Sequence, residues 1–208
     1  MLRKLLGAVI VASALAGCEG PLDTAPYVDT NQLQGTWYEI ARLPRSTQAG
    51  CTGTTATYTP ISDGHFAVVN HCTLPDGTEL QKAATLYVLG DKSNAKYGID
   101  LGGFIGDYWI TEVADDYRYI VVGHPSRNYL WILARDKHLA TSDLEAIKTH
   151  ETQNGFDVTK LEYTNQDGGM SPEAASCSVG FGSRGPIGVG LGLGALALVA
   201  GLRRRRAS

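Results

Sequence analysis

Positive charge is what the middle of this 208-residue chain has least of. Two basic residues, Arg3 and Lys4, fall in the first 17 positions, and five more, Arg184 and Arg203 to Arg206, fall after position 183. All 21 acidic residues lie between those ends against eleven basic ones, so the middle carries net −10. That balance argues against nucleic acid as a partner and against electrostatic docking on anionic lipid. Catalytic signatures are missing too. There is no Ser elbow, no Cys–His arrangement beside a nucleophile and no metal-ligand spacing. The five His (65, 71, 124, 138 and 150) are scattered and read as solvated surface. No enzyme, cofactor or metal is therefore expected. Cysteine is scarce, with four in all.

What the chain does have begins at its ends. Residues 1 to 17 read as a secretory signal, a basic start followed by the apolar run Leu5 to Gly17. It closes on Leu15-Ala16-Gly17-Cys18, which resembles a bacterial lipobox. The small residues suit a peptidase cleft, and the Cys18 thiol is the acceptor for diacylglycerol. At the other end, Pro186 to Leu202 is a 17-residue apolar run, the lower limit for a membrane-spanning helix, followed at once by four Arg. The Arg cluster would stay cytoplasmic and leave the main domain outside. With Ser176-Cys177-Ser178 upstream, the order Cys, apolar helix, Arg cluster resembles the C-terminal sorting tags of myxobacteria and related Gram-negative bacteria. That resemblance implies cleavage of the helix and surface anchoring near Cys177; a plain C-terminal anchor is the alternative. The chain divides into a signal (1–17), a polar tether (18–30), a folded domain (31–165), a Gly/Ser-rich linker (166–185) and a transmembrane or sorting segment (186–206).

If Cys18 and Cys177 serve anchoring, Cys51 and Cys72 remain. The strand-like runs 54–60 and 65–71 join across Ser62-Asp63-Gly64, a hairpin turn signal. Folding that hairpin brings positions 51 and 72 together, and an exported compartment permits a disulfide. A metal site with His65 and His71 is the weaker alternative, because no compact ligand cluster supports it.

Strand candidates recur at short, even spacing: 35–42, 54–60, 65–73, 79–89, 96–101, 107–114, 117–124 and 129–135. Eight is the number whose closed antiparallel barrel holds one small ligand. Ser142-Asp143-Leu144-Glu145 reads as a capping box that opens a helix, Gly155 as its C-terminal stop, and 156–163 as a ninth strand. The fold class is all-β: an eight-stranded up-and-down barrel with one helix and a short ninth strand. Gly35-Thr36-Trp37 opens the first strand and Arg135 ends the eighth. Trp37 would floor the barrel and the Arg135 guanidinium would cover its ring.

Together, Gly35-Thr36-Trp37, Asp115-Asp116-Tyr117-Arg118-Tyr119 and Arg135 resemble the three signatures of the lipocalin family. The likeness is strongest to bacterial outer-membrane lipocalins and apolipoprotein D. The resemblance covers residues 31 to 165 and implies a cup that binds fatty acids, lysophospholipids or similar amphiphiles. The implied role is storing or carrying lipid for envelope upkeep. An envelope interaction protein with a vestigial pocket and a lipocalin-type enzyme are the alternatives. The expected partners are a lipid or other small hydrophobic ligand and the membrane, and a homodimer is left open. The expected location is the outer membrane or cell surface of a Gram-negative bacterium, reached through a lipid anchor.

Strand alternation nominates the lumen. If Trp37 points in, so do Glu39 and Ala41. Tyr58 joins them, with Tyr119 and Val121 on strand seven and Trp131 and Leu133 on strand eight. A one-residue slip would invert these faces. Gly35, Trp37, Tyr117 and Arg135 are assigned to closing the fold. Glu39 would orient a headgroup or bond a neighbouring Tyr. Arg127 reads as a turn charge at the closed end.

Overall fold

In a computed structural model, residues 20–62 and 64–167 are described. The signal, Cys18, Cys177 and the C-terminal segment lie outside them. Among the described residues no helix is long and apolar enough to cross a membrane. The nine strands are β1 (Gly35–Arg42), β2 (Thr52–Ser62), β3 (His65–Thr73), β4 (Glu79–Val88), β5 (Lys96–Asp100), β6 (Ile105–Val113), β7 (Tyr119–Gly123), β8 (Leu130–Ala134) and β9 (Glu162–Tyr163). Strands β2 to β8 pair with their neighbours in sequence. β1 pairs with β8 on one side and β2 on the other, which closes an antiparallel eight-stranded barrel. β9 adds to β1 on the outside, through Ala41↔Tyr163 and Arg42↔Glu162.

Two apolar layers divide the core. One fills the barrel and includes Trp37, Tyr58, Phe66, Tyr97, Ile120, Val122 and Leu133. The other lies between the barrel wall and the helix α1 (Thr141–Gln153), with Ala41, Tyr119, Val121, Ile132, Ile147 and Phe156. α1 ends as Gly155 suggests: at φ +91° it gives its N–H to the Thr152 carbonyl at 3.1 Å, and Phe156 gives its own to Glu151 at 2.9 Å. That pair of bonds is a Schellman stop.

Several element boundaries move. The helix starts after Ala140, which caps it without a side-chain bond. The Ser142–Glu145 box does not form: Glu145 pairs with Lys148 at 2.9 Å, and Asp143 is held by Arg118 at 2.8 Å. β7 begins at Tyr119, because Tyr117 sits at φ +57° and cannot continue a strand. The ninth strand shrinks to two residues because Val158–Lys160 coil into a 3-10 turn. Residues 20–30 are packed rather than free. Leu22, Ala25 and Val28 are buried, and backbone bonds join Ala25 to Ile110 and Val28 to Ser93. The expected tether is thus an arm laid along the barrel.

The disulfide joins Cys51 to Cys72 across the β2–β3 hairpin, with their Cα atoms 5.4 Å apart.

Candidate functional site

The floor is built as the first and last strand motifs suggest. Trp37 is fully buried and gives its indole N–H to the Leu33 carbonyl at 2.8 Å. The Arg135 guanidinium lies 3.5 Å from the Trp37 ring centre. It also donates to the carbonyls of Thr36 at 3.1 Å, Gln34 at 3.0 Å and Gln32. Gly35 is required here by its backbone: it turns at φ +95°, a conformation that residues with a Cβ rarely adopt, while a Cβ there would meet Arg135 Nη1 only in ordinary contact at 3.5 Å. Tyr117 ties in the arm by accepting the Asp29 N–H on its hydroxyl at 2.7 Å.

Above the floor, the interior is aromatic. Tyr58 and Tyr108 share a hydroxyl–hydroxyl hydrogen bond, and Tyr97 keeps a buried hydroxyl with no hydrogen-bond partner among the described residues. Burial pushes all three phenols above their ordinary pKa. Tyr108 stacks on Trp131 with ring centres 6.4 Å apart, and Trp131 on Tyr129 at 6.2 Å. This stack leads from the middle of the barrel to its mouth.

The mouth is polar. Glu39 and Arg42 are 2% and 4% exposed. Arg42 donates to Glu39 at 3.1 Å and to the Gln48 carbonyl at 2.8 Å. Gln48 and Thr164 donate to the same carboxylate, at 3.0 and 2.5 Å. Gln48 also accepts the Trp131 indole N–H at 3.3 Å. At the rim, Arg45 lies over the rings of Tyr129 and Trp131, 4.8 and 5.0 Å from their centres. Burial lowers its pKa from the ordinary guanidinium value. Among the described residues no carboxylate stands within ion-pair distance of Arg45. A cavity of about 310 Å3 opens there, bounded by Pro44, Arg45 and Tyr129. A second, of about 220 Å3, lies at the closed end beside Phe66 and Ile61. Between these two ends the barrel is lined by Tyr58, Phe66, Tyr97, Ile120, Val122 and Leu133, with Tyr108 and Trp131 only partly buried.

Of the nominated lumen residues, Glu39, Tyr58, Trp131 and Leu133 belong to the inner side. Three do not. Ala41, Tyr119 and Val121 pack in the outer layer under α1. The β1–β8 register shifts between Glu39 and Ala41. This bulge turns both Ile40 and Ala41 outward and brings Arg42 in beside Trp131. In β7 the left-handed turn at Tyr117 breaks the alternation, so Ile120 and Val122 face in. Arg127 is also corrected: the β7–β8 connection that holds it is at the mouth end, since Leu43 beyond β1 bonds Leu130 at the start of β8.

Sequence reasoning missed Arg42, Gln48 and Arg45. One signal was available. Ile40-Ala41, two apolar residues between two charged ones, breaks period two as a bulge does. The His residues are less idle than expected. His150 bridges Glu112 at 3.1 Å and the wholly buried Glu151 at 3.3 Å. The ligand atoms of these three residues lie within 4.8 Å of one another. The cluster sits outside the barrel, where Thr111 and Asn154 also bond Glu151, at 2.6 and 3.3 Å. It clamps α1 to the wall.

Comparison with known proteins agrees with this architecture. Residues 28–166 match the family model described as a lipocalin-like domain. The chain is 32% identical over 171 residues to the outer membrane lipoprotein Blc of Citrobacter freundii, covering 79% of this chain and 97% of that one. It is 28% identical to apolipoprotein D of Macaca fascicularis, covering 76% and 95%. Among solved structures, insecticyanin from the tobacco hornworm Manduca sexta superposes with a TM-score of 0.54 at 21% identity, over 69% of this chain and 84% of that one.

Proposed function

This chain belongs to the lipocalin family, and on that premise we propose that it binds one anionic amphiphile, a fatty acid or a lysophospholipid, tail inward and headgroup at the mouth. The observation that carries the reading is Arg45. Its guanidinium is held by two aromatic faces at the rim of an apolar barrel and makes no ion pair among the described residues, with the Glu39 carboxylate acting on it only from beyond ion-pair distance. It is free to take a carboxylate or phosphate. The Glu39–Arg42–Gln48 network backs the rim with fixed polar groups. The buried Tyr97 hydroxyl gives a polar ligand group a partner further down.

Magnitudes favour entry even where a tail must part interior side chains. Each methylene taken from water contributes roughly 0.8 kcal/mol, so a tail of about 14 methylenes gains about 11 kcal/mol gross. Parting the Tyr108–Trp131 stack costs about 0.5–1.5 kcal/mol. Ordering the ligand costs several more, and the balance still favours binding. The protein acts as a carrier or store, not as an enzyme. Similarity to outer membrane lipoproteins supports a place in the cell envelope, anchored through lipid on Cys18. A second reading, an interaction lipoprotein with a vestigial pocket, is favoured by one observation: the mouth cavity and the closed-end cavity described above each lie at an end of the barrel.

Titration of delipidated protein with a fluorescent fatty acid and its neutral methyl ester separates the two. Binding of both, with Arg45→Gln weakening the acid about tenfold and the ester little, supports the carrier. That tenfold corresponds to about 1.4 kcal/mol. Failure to bind either probe overturns it.

A further inference from the structure

Strands alternate direction around the barrel, so the β1–β2, β3–β4, β5–β6 and β7–β8 connections share the mouth end. The N-terminal arm begins there as well. The Gly20 carbonyl accepts a hydrogen bond from Arg127 Nη2 at 2.6 Å. Arg127 is itself fixed: its Nη1 donates to Pro125 of its own turn at 2.7 Å, and its Nε to Asn154 at the end of α1 at 3.2 Å. The arm is thus pinned to the β7–β8 connection before it runs to the floor. Cys18 stands two residues earlier, within roughly 7 Å of Gly20 even at full extension.

The neighbouring β5–β6 connection carries an exposed apolar tip. Phe104 and Ile105 are 68% and 65% exposed. The turn that presents them is built rather than loose. Asp100 Oδ1 accepts the N–H groups of Gly102 and Gly103 at 2.9 and 2.8 Å, and Leu101 donates to the Phe104 carbonyl at 2.9 Å. Beside it, His124 of the β7–β8 connection stands 3.9 Å from Asp107 of β6. The tip and the arm's starting point therefore occupy the same sector of the rim.

We propose that the mouth rim docks on a phospholipid bilayer, with Phe104 and Ile105 inserted and the barrel opening turned to the membrane. This rests on the envelope-anchored reading above. The closed end also exposes apolar side chains, Ile61 at 60% and Leu89 at 48%. It lies roughly 23 Å away, the height of a nine-residue strand at barrel tilt. Two residues of chain cannot carry an anchor from Gly20 to that end. Attraction to anionic headgroups does not set the orientation, since the middle of the chain is net negative. The apolar tip and the anchor position do. A ligand then passes between bilayer and barrel without crossing water.

Full-length lipidated protein, placed in phosphatidylethanolamine/phosphatidylglycerol vesicles that contain a brominated phospholipid, tests the orientation. Single variants Phe104→Trp and Ile61→Trp change exposed positions on opposite ends. The readout is the emission each adds to the parent's three Trp. The expected result is at least twofold quenching of the added emission in Phe104→Trp and none in Ile61→Trp. Equal or greater quenching in Ile61→Trp overturns the proposal, as does protein that floats with the vesicles and shows no quenching in Phe104→Trp. Protein that fails to float overturns the anchored reading and this proposal with it. Fatty-acid binding by the same samples reports on the cup separately.

Discussion

Replacing Arg135 should unlock the floor without touching the ligand. The guanidinium covers Trp37 and donates to three backbone carbonyls. A hydrogen bond from a charged group contributes roughly 1.5–3 kcal/mol when buried. Arg135 is partly exposed and its partners regain water when it leaves, so the three together are worth about 2 kcal/mol. The cation–π contact adds roughly 0.5–1 kcal/mol. Arg135→Ala should therefore cost about 3 kcal/mol. For a chain of this size that lowers the melting temperature by roughly 6–12 °C. Arg135→Lys keeps the charge but lacks the planar fork, and should recover less than half of the loss. The assay is thermal unfolding followed by near-ultraviolet circular dichroism, with fatty-acid affinity measured alongside. Melting within 2 °C of the parent for Arg135→Ala, or full recovery by Lys, refutes the reasoning. A large loss of affinity in folded Arg135→Ala refutes the assignment of Arg135 to the floor.

Two other perturbations test the framework. The Cys51–Cys72 bond spans 21 residues, so reduction should cost about 3 kcal/mol; reductant should lower the urea midpoint of the parent and leave that of a Cys51→Ala/Cys72→Ala double variant unchanged. Burial raises the pKa of Glu151 above its ordinary value, against the lowering effect of Thr111, His150 and Asn154. A carboxyl whose folded pKa is raised contributes stability below its unfolded pKa and loses it as pH rises through the folded one. Glu151→Gln should therefore match the parent near pH 4 and exceed it increasingly toward pH 8; parallel urea midpoints across that range would refute the account.

The barrel was legible because its signals are local and repeated. Short strands, turn residues at even intervals and the Trp37–Arg135 pair specify closure without any knowledge of register. The disulfide followed from one hairpin. What failed was facing. Alternation assigns a whole strand from one residue, so a single irregular backbone position inverts everything beyond it. The bulge at Ile40 and Ala41 placed Arg42 inward, and the left-handed turn at Tyr117 put Tyr119 and Val121 under the helix. The arm was misjudged for another reason: only Leu22, Ala25 and Val28 of a polar segment are buried, too sparse a pattern to mark packing. Arg45 lies beyond the last residue of β1, where strand period says nothing about direction.

The central claim is that the barrel takes up a lipid. Native mass spectrometry of purified protein spanning residues 20–167, after exposure to an envelope lipid extract, tests it most directly. The account predicts one fatty acid or lysophospholipid retained per barrel and displaced by added fatty acid. A barrel that emerges empty, and that also rejects an added fluorescent fatty acid, contradicts it.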